Sequence, residues 1–147
     1  MQFPDFLESL HAGFATGWAD AGPMPHAGKE IPAPGIVPEN GGYGPGVEPY
    51  IELHLITDQG TQYGTYDIPT FRHLGILQVS MFVPNGWGIF LFARMRNRAQ
   101  SVIRALEIPG FKTYTTSVPR PGPSPPDGFS GKQASTNFSW TSQDDAQ

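Results

Sequence analysis

The sequence predicts an α/β (α+β) fold: a small mostly antiparallel or mixed sheet with two helices on one face, in the order α-β-β-α-β-β. Three observations predict it. Two stretches, 4–18 and 88–106, repeat apolar residues at three- and four-residue steps. Four others alternate apolar and polar residues, as half-buried strands do. Glycine and proline, 18 and 16 of 147 residues, gather mainly between these segments, where the chain must turn.

The first helix opens at Pro4, whose missing amide donor costs nothing in a first turn. Asp5 and Glu8 complement the helix dipole. Phe3, Leu7, Leu10, Phe14 and Trp18 form its apolar stripe, and Gly13 and Gly17 weaken its last turns. Residues 21–48 read as a long Gly/Pro-rich loop without regular ladders, pinned by Ile31, Ile36 and Val37. In the strand 49–57, Ile51, Leu53 and Leu55 alternate with Glu52 and His54. A polar excursion, 58–70, follows, and its middle, Gln62-Tyr63-Gly64-Thr65-Tyr66, extends the flanking strands as a projecting hairpin. The strand 71–83 sends Leu77, Val79, Met81 and Val83 one way and Gln78 and Ser80 the other. Pro84-Asn85-Gly86 ends it. The helix 88–106 carries Phe92, Met95, Ala99, Val102 and Leu106 on one stripe, and Pro109-Gly110 stops it. A third strand, 111–118, a Pro-rich loop, 119–128, and a fourth strand, 132–141, complete the order, with a frayed polar tail at 142–147.

The length suits a single domain over 1–147, which buries roughly 68–70% of the surface its unfolded chain exposes. With no cysteine, the chain holds no disulfide, thiolate metal site or thiol nucleophile. A net charge of −4 opposes a dedicated nucleic-acid binder, which needs a basic surplus. Charged residues are only 15% of the chain, against about 25% in an average soluble domain, which points to a surface partly covered by neighbours. The N-terminus lacks the basic and apolar regions of a signal peptide, and the longest apolar run, Trp87 to Ala93, is too short to span a bilayer. A soluble chain made in the cytoplasm is expected.

Few residues invite chemistry. Glu52 and His54 share a strand face, and His73 lies on the neighbouring strand, so a metal or general-base site is conceivable. No further ligand motif accompanies them, and a solvated or subunit-covered face is the preferred reading. Gly41-Gly42-Tyr43-Gly44 is Gly-rich like a phosphate loop, but it follows no strand and has no lysine nearby. With no nucleophile elbow, dinucleotide fingerprint or zincin motif, no catalytic residue, metal or cofactor is expected. Arg94, Arg98 and Arg104 on the second helix read either as a solvated face or as a basic strip toward an acidic partner. Pro119 to Pro126 reads as a stiff connection between strands rather than a polyproline ligand.

The middle of the chain forms a longer pattern. Pro49-Tyr50-Ile51 opens a strand; Arg72, Gly75, Gln78 and Val79 mark the next; Pro84, Gly86 and Gly88 form a turn that launches a helix. This resembles the tail terminator-like proteins of long-tailed bacteriophages. The element order matches over most of the chain and the motif over about 40 residues, while the 21–48 and 119–128 loops depart from the pattern. The resemblance implies a non-enzymatic virion protein at the head–tail junction, assembled in the host cytoplasm. It implies a six-membered homo-oligomeric ring that caps the tail tube protein, stops its addition and offers a surface to the head–tail connector or stopper protein. DNA would pass through the ring without sequence-specific binding, and no membrane is involved. On this reading Gln62, Tyr63, Tyr66, Phe71 and Arg72 meet the adjacent subunit or the tube, while Arg94, Arg98 and Arg104 face a partner or the channel. The alternatives are a head–tail joining (stopper) or tail-completion protein, a monomeric binding module working through the Pro-rich loops, and an enzyme built on Glu52, His54 and His73.

Overall fold

In the computed structural model, the alternation read over 71–83 becomes a long central strand, β6 (Thr70–Pro84), in an α+β fold. The structure describes residues 2–37, 48–58, 61–63, 70–122 and 124–143. The other elements are α1 (Phe3–Asp20), β1 (Met24–His26), β2 (Lys29–Ile31), β3 (Gly35–Val37), β4 (Tyr50–Thr57), β5 (Thr61–Tyr63), α2 (Phe90–Arg104), β7 (Phe111–Thr116), β8 (Arg120–Pro121) and β9 (Phe129–Gln143).

The main sheet runs β3-β4-β6-β9-β7. It is mixed, because β3 pairs with β4 in parallel and the other pairings are antiparallel. The short strands prolong the ladders: β5 pairs with β6 at Thr61 opposite Arg72, past the end of β4, and β8 pairs with β9 at Arg120 opposite Gln133, past β7. Chain then crosses from β6 through α2 to β7, and β9 fills the gap between the two.

Both helices cover one sheet face, which carries Ile51, Leu53, Leu77, Val79, Met81, Ala134, Phe138 and Trp140. Phe6, Leu10, Phe14 and Trp18 are the buried face of α1, so Phe6 joins the stripe read from the sequence. Phe6 lies at the centre of that packing, stacked on Trp140 at 4.5 Å between ring centroids. The two glycines of α1 do more than weaken it. A methyl group on Gly13 would come within 2.8 Å of Leu106, and one on Gly17 within 2.9 Å of Val102, so their bareness admits α2.

The expectation of an unladdered loop at 21–48 is corrected. Within 21–37 the chain forms the β1–β2 hairpin and then β3. The hairpin turn is Ala27-Gly28, both at positive φ (50° and 77°), the conformation that matches strand twist in a two-residue turn. Distant residues hold the segment: the Trp18 indole N–H donates to the Pro34 carbonyl at 2.8 Å, and the His26 ring stacks on Trp87 at 5.0 Å. The last strand is also longer than read, running from Phe129 to Gln143 into the tail expected to fray. The Gly41–Gly44 stretch and residues 144–147 lie outside the described residues.

Candidate functional site

The excursion after β4 begins as the expected hairpin. β5 pairs with the start of β6, setting Gln62 opposite Phe71 and Tyr63 opposite Thr70. The backbone therefore carries the sheet past the end of β4, at the site assigned to subunit or tube contact. Phe71 and Arg72 are half-buried where β6 also meets the end of β9. Tyr66 lies outside the described residues.

The three arginines do not form one strip. Arg94 and Arg104 are exposed on the outer side of α2. Arg98 turns inward. Its guanidinium donates to the carbonyls of Gly22 and Pro23, the latter at 3.0 Å, and lies 5.7 Å from the centre of the Trp18 ring. Partial burial lowers its pKa, and the α1 C-terminus is a natural seat for a cation. Arg96, which sequence reasoning passed over, is also structural: it donates to the carbonyls of Thr116 and Ser117 and ties α2 to the end of β7.

Glu52, His54 and His73 are not brought together. Glu52 and His54 share a face, 3.4 Å apart, as their spacing required. His54 stands opposite Gln78, and His73 is five residues earlier on β6, so its side chain points to the other face. There His73 stacks on Phe3 at 4.2 Å beside Trp140, with Asp58 3.9 Å from Nδ1. Desolvation lowers its pKa, and the Asp58 carboxylate pulls weakly the other way. Among the described residues no three His, Asp or Glu side chains converge as a metal site, and no helix is long and apolar enough to cross a membrane.

The sheet face away from the helices, which carries Glu52 and His54, differs from end to end. At one end its own side chains close it: Tyr50 stacks on Phe82 at 4.8 Å, Phe129 meets Tyr50 edge-on, and Val37 completes the cluster. At the other end Ile56, Leu74, Ile76 and Tyr114 line an open depression of about 480 Å³, with Asp58 on its rim. The sequence held a signal for it. From Leu74 to Leu77 apolar residues occupy both parities of β6, so the strand is apolar on both faces there. A second exposed apolar feature, Ile89-Phe90, stands at the start of α2.

The chain matches no family model and no curated protein.

Proposed function

We propose that the chain is a tail terminator: copies close into a ring at the end of a finished tail tube, halt addition of tube subunits and present a surface to the head connector. The mechanism is capping, with no bond made or broken.

The observation that carries this reading is the run from Arg72 to Gly88. Its matching residues fall on one strand, one turn and one helix start. Arg72, Gly75, Gln78 and Val79 lie on β6; Pro84 ends it; Gly86 and Gly88, at φ of 89° and 91°, make the turn into α2. Only glycine takes such φ values without strain, so the spacing reflects a geometric requirement. Further support comes from the surface. Among the described residues, the outermost strands β3 and β7 each pair on one side, which leaves ladder edges for a neighbouring chain, and the sheet face is open at one end.

Titrating the purified chain into polymerising tube protein tests the proposal. Tube growth should stop at a chain-to-tube-end ratio well below one per tube subunit, leaving short tubes of narrow length distribution. Growth that continues at saturating chain overturns it.

A further inference from the structure

We propose that Ile89 and Phe90 of one copy dock into the open depression of a second copy, so that subunits join head to tail through two different surfaces. The inference rests on the ring proposed above and names its contact.

Among the described residues nothing covers either feature, and they have the same chemistry. Ile89 and Phe90 are 69% and 77% exposed at the first turn of α2, among the most exposed large apolar residues described. Across the molecule, Ile56, Leu74 and Tyr114 are 54%, 48% and 52% exposed around a depression of about 480 Å³, ample for a phenyl ring and the neighbouring isoleucine. Large exposed apolar patches on a soluble chain mark contact sites. The knob cannot reach its own pocket. It follows the Pro84 end of β6, whereas the pocket lies near Leu74 and Ile76, roughly 26 to 33 Å back along the strand at 3.3 Å per residue and on the face away from the helices.

Charge singles out a second copy as the occupant. Arg94, one helical turn beyond Phe90, is exposed on the outer side of α2. Asp58, on the rim of the depression, keeps part of its carboxylate in water while accepting from the Leu74 amide. Seating Phe90 in the depression brings Arg94 toward Asp58 of the next copy. Such a contact is heterologous: it uses different patches on the two partners, and it closes into a ring when the rotation between copies allows.

Two variants test this. Phe90→Ser removes the knob and Leu74→Lys blocks the pocket. Phe90 is 77% and Leu74 48% exposed, so both folds should persist, as checked by circular dichroism; Tyr114→Lys replaces Leu74→Lys if that variant fails to fold. Sedimentation of the unmodified chain should show association, weakened about 30-fold or more in either variant, as expected for loss of an aromatic anchor. Mixing the two variants is the decisive arm. The Leu74→Lys copy keeps a knob and the Phe90→Ser copy keeps a pocket, so the mixture should form a dimer of two 16.0 kDa chains and grow no further. A mixture that stays monomeric where the unmodified chain associates overturns the inference, as does an unmodified chain that stays monomeric to about 1 mM. So does an association untouched by either substitution. None of these arms contains tube protein. A head-to-tail dimer with no effect on tube growth would therefore reject the capping function and leave the contact standing.

Discussion

The Phe138 ring lies against Gly75 on the adjacent strand, so close that a methyl group on Gly75 would sit 2.5 Å from its Cζ and 2.8 Å from the Ile56 carbonyl oxygen. The ring uses the space where a side chain would stand, and in doing so reaches Phe6 at 5.8 Å and Phe111 at 5.6 Å between centroids. Gly75→Ala is expected to destabilise the fold by about 1–3 kcal/mol through overpacking. Adding Phe138→Leu should recover part of that loss, because the smaller side chain vacates the clash. Urea midpoints of the two single variants and the double variant check the coupling; strictly additive losses would contradict it.

Arg94 and Arg98 are one helical turn apart and should behave differently. Arg98→Ala leaves the carbonyls of Gly22 and Pro23 without their donor and uncovers Trp18. A loss of about 1–3 kcal/mol is expected, with faster amide exchange across 24–37. Arg94→Ala should change stability by less than about 0.5 kcal/mol, since its side chain is exposed, and should act on assembly alone. Equal stability losses would refute this division of roles.

The two glycines of α1 separate backbone propensity from packing. Alanine in a helix interior gains up to about 1 kcal/mol over glycine. At Gly13 the obstacle is the far end of a leucine, Leu106 Cδ2, which can turn aside. At Gly17 it is Val102, branched at Cβ and therefore stiff within α2. Gly13→Ala should leave stability unchanged or raised, and Gly17→Ala should lower it. Thermal midpoints that rank them the other way would show that the helices separate more easily than this packing implies.

His73 makes stability depend on pH. Its burial lowers the folded-state pKa below the ordinary 6.5, and Nδ1 has no hydrogen-bond partner. Above 6.5 the ring is neutral in both folded and unfolded chains, and no penalty arises. As pH falls below 6.5 the unfolded chain takes up the proton first, so stability declines until pH passes the folded-state pKa. His73→Phe keeps the stack on Phe3 and removes the titrating group, so its unfolding free energy should fall less than that of the unmodified chain between pH 7 and 5. Parallel curves for the two proteins would contradict it.

The parts of this fold legible in the sequence are those with a repeating period. β4 and β6 alternate, α1 and α2 carry stripes, and each appears within a few residues of its expected bounds. The strands of 24–37 have no period to read. Each is three residues long, and the side chains bonded to this segment lie elsewhere in the chain: Trp18 donates to Pro34, and Arg98 to Gly22 and Pro23 just ahead of β1. Register was equally hidden. That His73 points away from His54 follows from Gln78 standing opposite His54, an offset fixed by the length of the excursion between the strands and not by either strand's pattern. Beyond the apolar run of β6, the open depression has no signature of its own in the sequence, because only the pairing of the strands places Ile56 and Leu74 together on the face without helices.

Electron cryomicroscopy of tail tubes assembled with the purified chain tests the central proposal most directly. The expected image is a single ring of copies on one end of each tube, absent from the tube wall and from the opposite end. Chains distributed along the wall, or tubes with bare ends at saturating chain, would contradict it.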